Sequence, residues 1–307
     1  MANSTVYNVV IFGLKLKIKR VAFTLPIMGG WDIYWYGIII ALGFLGAIIY
    51  FWRNAKRLGL QIDAMTDVIL VTTPLAILCA RAYYLLFSHG NLSGFFRFHD
   101  GGLAIYGGVI GAAVFGVLMC RLKKVNLGSA LDVAAIGFLI GQGVGRWGNF
   151  FNQEAFGTPT NSNFFGMASE NTAAMFGEGV LVHPCFLYES VLCLLGAWML
   201  HLLSKKRSFV GQIALAYGIW YGFVRMLVEG LRTDSLMLGL LRVSQVLSFV
   251  LFVACSAAMI IILRKKRIQK KDNGQYSPLF SKAHAYACLG EQSETTVEDG
   301  GENQCIN

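Results

Sequence analysis

The sequence predicts an all-α polytopic membrane protein: seven transmembrane helices with a small extracytoplasmic head. Three observations predict it. The 307 residues are 55% hydrophobic and only 14% charged, whereas a soluble domain clothes its surface with about 25% charged residues. Apolar runs of about 20 residues recur along the chain, the length that crosses a bilayer core as helix. Basic clusters fall in alternate gaps between those runs, the pattern that sets orientation.

Residues 1–32 form an extracytoplasmic or interfacial segment. Val9–Leu14 precedes Lys15, Lys17, Lys19 and Arg20, the reverse of the order in a cleavable signal peptide. Leu14, Leu16 and Ile18 alternate with the lysines, a period-two pattern that suits a short strand or a piece lying at headgroup level. Spans follow at about 33–52, 66–87, 103–120 and 129–151, so that 33–151 holds the first four. Residues 152–185 are rich in Asn, Gly, Thr and Ser and form the head, long enough to be functional. The remaining spans, at about 186–204, 211–230 and 244–263, fill 186–263.

The basic clusters are Arg53/Lys56/Arg57, Arg121/Lys123/Lys124, Lys205/Lys206/Arg207 and Arg264 through Lys271. They mark the cytoplasmic side, so the N-terminus and the loops 88–102 and 152–185 lie outside and the C-terminus inside. The basic N-terminal segment breaks this rule and is outvoted by the four clusters. The tail, 264–307, turns from basic to acidic, with five acids in 291–302; beyond 268 it reads as disordered and dispensable for chemistry.

A net charge of +9 would suggest nucleic acid in a soluble protein. Here the charge sits in inter-span clusters, which implies topology and anionic lipid headgroups, not a nucleic-acid partner. Neither the seven cysteines nor the five histidines show ligand spacing, so no metal, disulfide framework or cofactor is expected. Gly143–Gly148 matches GxGxxG literally, but within a membrane helix and without the βαβ unit that a dinucleotide fingerprint needs.

Arg81, Arg146 and Arg225 lie inside spans, where a charge costs about 2.5–3.5 kcal/mol or more unless it faces a cavity or a partner. A salt bridge between helices accounts equally well for Arg81. Arg146 has richer company, with Asn149 one turn on and Asn152, Gln153 and Glu154 at the helix end. Tyr221, Arg225 and Glu229 are spaced by four along one helical face, with Arg232 beyond. Two guanidiniums, each able to donate two parallel hydrogen bonds, suit a lipid phosphate.

Tyr36 stands at the outer end of the first span and Tyr106 at the start of the third. In His183–Glu189, Pro184 starts a helix and leaves Glu189 buried and in need of a partner. Asp132 reads as a cap of the fourth span. Gly137, Gly141 and Gly145 form a small-residue stripe for helix packing. The residues contain no Ser/His/Asp set and no HExxH, so a nucleophile must come from the substrate.

The chain resembles the phosphatidylglycerol–prolipoprotein diacylglyceryl transferase family over about residues 30–265. The run Gly145-Arg146-Trp147-Gly148-Asn149-Phe150-Phe151-Asn152-Gln153-Glu154-Ala155-Phe156-Gly157 is similar to the family's Gly-Arg-x-Gly-Asn-Phe-x-Asn-x-Glu-x-x-Gly throughout. Trp35–Gly37, Asp100–Gly108, His183–Glu189 and Tyr221–Arg232 with Gln245 support it. The resemblance implies a multi-pass enzyme of the bacterial cell membrane. It would pass the diacylglyceryl group of phosphatidylglycerol to the lipobox cysteine of a prolipoprotein, giving a thioether and glycerol phosphate. Arg146, Arg225, Tyr106, Glu154 and Glu229 would then be catalytic. Arg146, Asn149, Tyr36, Tyr221, Arg225 and Gly157 would bind the phospholipid.

Two departures stand out. Some members of the family carry His where this chain has Tyr106, and Tyr, with a pKa near 10, is a poor base at neutral pH. The base is then Tyr106 or a carboxylate, Glu154 or Glu229. Cys185-Phe186 replaces a common Thr or Ser followed by Gln. An anion transporter would also use intramembrane arginines, but an inverted repeat is missing and the polar run is biased to one face. A lipid-binding scaffold would keep the arginines without the rest of the run.

Overall fold

Apolar runs with small residues and few charges have one low-energy form in hydrocarbon, the helix, because it satisfies every backbone polar group internally. The computed structural model describes residues 6–26, 30–87, 95–96, 102–162, 164–233, 237–238 and 241–273. In chain order it places β1 (Val6–Ile11), β2 (Leu14–Lys19), β3 (Val21–Leu25), β4 (Trp31–Tyr34), α1 (Trp35–Asn54), α2 (Ile62–Phe87), α3 (Ile105–Leu122) and α4 (Leu127–Asn152). After these come β5 (Met167–Ala168), α5 (Glu170–Phe176), α6 (Cys185–Ser204), α7 (Gln212–Glu229), β6 (Met237–Leu238), β7 (Leu241–Arg242) and α8 (Val243–Asn273).

Among the described residues, six helices are long and apolar enough to cross a membrane: α1, α2, α3, α4, α6 and α8. The sixth expected span, 211–230, forms α7, equally long as α3 but carrying Arg225 and Glu229 within it. The chain is thus an all-α polytopic membrane protein with short β elements outside the helices. The last helix runs on to Asn273, ten residues past the expected end of that span. Residues 268–273, expected to be disordered, are therefore helical, because the helix continues past its apolar span; from 274 onward that expectation falls outside the described residues, as does most of the loop 88–102.

The molecule divides into two compact units, residues 1–54 with 131–266, and residues 55–130 with the chain from 267 onward. In the first, the period-two pattern of residues 14–18 becomes β2, antiparallel to β1, and β1 pairs in turn with β5. A two-residue turn joins β1 to β2, with Phe12 at φ 48° and Gly13 at φ 77°. Positive φ at both positions matches the twist of paired strands. Val9 and Ile18 from this sheet pack with Phe156, Met167 and Val182, and with Phe150 of α4 and Phe186 of α6. The N-terminal strands and the 152–185 segment therefore share one small core, seated on the ends of two long helices.

The glycine stripe of α4 packs on α1. A Cβ on Gly141 or Gly137 would stand against Gly43 and Ala47, and one on Gly148 would lie 2.6 Å from the ring of Tyr36. Close approach of this kind is the use small residues serve between membrane helices.

Asp132 corrects its expected role. It caps α7, not its own helix. Its Oδ1 accepts the backbone N–H groups of Ile213 and Ala214 at 2.9 and 3.0 Å, and its Oδ2 accepts Gly211 N–H and the Arg207 guanidinium, both at 2.9 Å. An anion at a helix N-terminus satisfies amides that have no intrahelical partner. With the carboxylate wholly buried, Asp132→Asn removes one partner of a buried ion pair, a loss of about 3–5 kcal/mol. A lower melting temperature in detergent is expected, read by intrinsic fluorescence.

In the second unit, α2 and α3 pack through glycines: a Cβ on Gly107 would meet the Cys79 carbonyl oxygen and the Tyr83 Cβ at 2.4 Å. Arg81, 4% exposed, donates to the carbonyls of Phe95 at 3.2 Å and Gly102 at 3.1 Å, and lies over the Tyr84 ring. It ties the entry of α3 to α2, so backbone carbonyls account for at least part of what this buried charge requires.

Candidate functional site

α4 brings Arg146 and Asn149 to its last two turns, and then the chain turns sharply. Gln153 and Ala155 both adopt φ 57°, a left-handed conformation costly for residues with a Cβ, which persists only where surrounding contacts impose it. Those contacts are visible. Arg20 donates to the Asn152 carbonyl at 3.0 Å while lying over the Tyr7 ring, and Asn171 donates to the Gln153 carbonyl at 2.9 Å. Gln153 is fully buried and Glu154, between the two strained positions, is exposed. Asn152 donates to Glu154 Oε1 at 3.2 Å.

Glu189, in the second turn of α6, is the centre of the charge cluster. It is 3% exposed. Its Oε1 accepts Arg225 Nη1 at 2.9 Å and Arg232 Nη1 at 3.3 Å, while its Oε2 meets Arg146 Nη2. Arg225 also approaches Glu229 Oε2 at 2.8 Å, one turn along α7. That approach is an ion pair without hydrogen-bond alignment, since the oxygen accepts no hydrogen bond among the described residues. Arg242 donates to the Glu229 backbone carbonyl. Three guanidiniums therefore share two carboxylates, and the cluster keeps an excess of positive charge. Sequence reasoning found Glu189 as a buried acid lacking a partner, but not that it would gather three arginines. Arg232, noted only as a downstream residue, is one of them.

The arginines are not equivalent. Arg225 spends both terminal nitrogens on Glu189 and Glu229. Arg146 makes one ion pair among the described residues, to Glu189, and its side chain is the more exposed, 21% against 17% for Arg225 and 11% for Arg232. Its remaining donors, with the Asn149 side chain on the next turn, make no other hydrogen bond among the described residues.

Tyr36 packs its ring on Gly148 and feels the charges of both Glu154 and Arg146, so α1 joins the site. Tyr221 stacks on Tyr217 at 5.6 Å with 11° between the rings, and lies within the electrostatic reach of Arg225, Arg146 and Glu189. Gly157 has no room for a side chain: a Cβ would lie 2.8 Å from Cys185 Sγ and from the Leu231 carbonyl oxygen. It pairs across an antiparallel bridge with Arg232, and that close approach holds the Arg232 segment beside α6. Cys185 and Phe186, the positions that depart from the family pattern, are fully buried core residues. Tyr106, in the first turn of α3, belongs to the second unit and is 57% exposed beside Tyr83.

The structure thus gathers Arg146, Asn149, Tyr36, Glu154, Tyr221, Arg225, Glu229 and Gly157 around one end of α4, α6 and α7. Among the described residues no group of three or more His, Cys, Asp or Glu side chains is placed to hold a metal ion.

Residues 20–262 match the family model described as prolipoprotein diacylglyceryl transferase. The chain is similar to the phosphatidylglycerol–prolipoprotein diacylglyceryl transferase of Bacillus cereus (strain B4264), 43% identical over 256 residues, 81% of this chain and 93% of that protein. The proteins of the same name from Bacillus cytotoxicus and Bacillus anthracis (strain CDC 684) are 41% and 43% identical over the same shares. On this match the chain belongs to the prolipoprotein diacylglyceryl transferase family.

Proposed function

We propose that the chain transfers the diacylglyceryl group of phosphatidylglycerol to the lipobox cysteine thiol of a prolipoprotein, at the outer face of the bacterial cell membrane. The observation that carries this reading is the cluster of three arginines on one buried glutamate, with charge left over for a phosphate. The substrate sulfur attacks the glyceryl carbon next to the phosphate. The carbon–oxygen bond breaks with its electron pair on the phosphate, a thioether forms, and glycerol phosphate leaves. Arg146 is the primary phosphate contact, because it has donors to spare. Arg225 and Arg232, drawn in by Glu189, stabilise the charge that builds on the leaving group. Asn149 and Tyr36 bind the headgroup side of the lipid, and Tyr221 lies beneath it.

The thiol, with an ordinary pKa near 8.5, must lose its proton to attack. Glu154 is the base we favour over Glu229. It is exposed at the site, whereas Glu229 is 1% exposed and engaged by Arg225. Glu154→Gln is expected to lower turnover by about 10²-fold or more, the ordinary worth of general-base catalysis, while Tyr106→Phe keeps most of the activity. The reverse ranking in a glycerol phosphate release assay would move the base to Tyr106.

The same assay tests the reading itself. Purified protein in phosphatidylglycerol micelles with a lipobox peptide should release glycerol phosphate, and replacing the peptide cysteine with serine should abolish release. Release that survives the serine peptide contradicts thiol transfer. Orientation follows the basic clusters, with the N-terminus outside and the C-terminus cytoplasmic; labelling of cysteines introduced at each end from outside intact cells checks it.

A further inference from the structure

One polar pair lies deeper in the helices than the charge cluster and has no part in it. Gln142 stands on α4 one turn before Arg146, about 6 Å along the axis, and its Nε2 donates to the Tyr217 hydroxyl of α7 at 3.2 Å. Tyr217 stacks on Tyr221, four residues on and four before Arg225, so the two tyrosines follow the Arg225 face of α7 inward.

An interhelical tie is the plain account of such a pair, and it leaves something over. Gln142 Oε1 is buried with no hydrogen-bond partner among the described residues. The two ends of a glutamine amide exchange places on a half-turn about the last side-chain bond, and the network around them decides between the two. As placed, the Tyr217 O–H and the second Nε2 hydrogen remain to be given. Turned over, the Tyr217 O–H satisfies the oxygen and both amide hydrogens remain. The turned-over amide is the arrangement that leaves no buried acceptor without a partner, and it keeps two hydrogens to give; both side chains are half-buried.

We propose that Gln142 and Tyr217 form a subsite for an ester carbonyl of the diacylglyceryl group, one helical turn below the phosphate held by Arg146. This rests on the transferase reading of the arginine cluster. The esters of a glycerophospholipid hang one glycerol unit beneath the phosphate, a drop comparable to the step from Arg146 to Gln142. An ester carbonyl is an acceptor only, and the pair offers donors. The subsite therefore reads diacyl lipid against dialkyl lipid. The bond that breaks in transfer lies outside the ester, so a dialkyl phosphatidylglycerol remains chemically competent.

The experiment compares dioleoyl phosphatidylglycerol with its dioleyl ether analogue in the same detergent, using a lipobox peptide as acceptor. The wild-type protein should prefer the diester about three- to tenfold in kcat/KM, the worth of a net hydrogen bond. Gln142→Leu, and the milder Tyr217→Phe, should bring the ratio near one by slowing the diester alone. The ether rate then reports that each variant is folded. Equal losses on both lipids, or a wild-type ratio of one, overturns the subsite and leaves the transferase reading standing. No turnover by the wild-type protein on either lipid overturns the transferase reading, and the subsite with it.

Discussion

Replacing Glu189 with glutamine is expected to lower turnover about a hundredfold while leaving phosphatidylglycerol binding intact or tighter. The carboxylate holds Arg146 on one oxygen and Arg225 and Arg232 on the other, and it is 3% exposed. Glutamine keeps the volume and one acceptor but removes the charge. Three guanidiniums then share Glu229 alone and repel one another inside a medium that screens them poorly. The surplus positive charge still attracts an anionic headgroup, so KM need not rise. What is lost is the spacing of Arg146 against Arg225, and a misplacement of about 1 Å at a reacting centre can cost 10²-fold. Single-turnover kinetics separates the two effects, and a detergent melt reports the stability lost when one partner of a buried ion pair is removed, about 3–5 kcal/mol. A folded variant with near-wild-type turnover would show that Glu189 does not position the arginines.

The spans were legible because length and apolarity alone dictate helix in a bilayer. Arg146 and Arg225 were legible as members of a candidate site for the same reason, since a charge there is too costly to be incidental, although the same reasoning fits Arg81 and Asp132, which tie elements together. What the sequence hides is pairing across elements. Glu189 could be seen to need a partner, but three arginines from two other segments reach it only through packing of α4, α6 and α7. Asp132 looked like a cap of the helix it belongs to, and it caps α7 instead, 81 residues away at Ile213. The strand pattern at Leu14–Ile18 was visible, yet its partners were not: the turn is Phe-Gly instead of Asn-Gly, and β5 is two residues long. The basic N-terminal segment, which breaks the charge rule for the expected orientation, has one of its charges taken up in packing. Arg20 is engaged by the Asn152 carbonyl and the Tyr7 ring, where it holds the turn that presents Glu154.

The same packing makes the two principal arginines answer differently to lysine. Arg225 reaches Glu189 with Nη1 and Glu229 with Nη2, at 2.9 and 2.8 Å. An ammonium is a point charge on a flexible stem and cannot hold two carboxylates in a fixed plane. Arg225→Lys is therefore expected to release Glu229 and lower kcat by about 10²–10³-fold, the range for losing a preorganised charge stabiliser, with a small change in KM. Arg146 has donors left for the phosphate, and its fork is what a lysine cannot copy there. Arg146→Lys should lower kcat as much or more and raise KM as well, because in the proposed mechanism its contact with the phosphate is already made in the ground state. Steady-state kinetics across phosphatidylglycerol concentration reads both. If the KM effect falls on Arg225 and spares Arg146, the assignment of the two is reversed, and the guanidinium pinned between Glu189 and Glu229 is the one that holds the lipid.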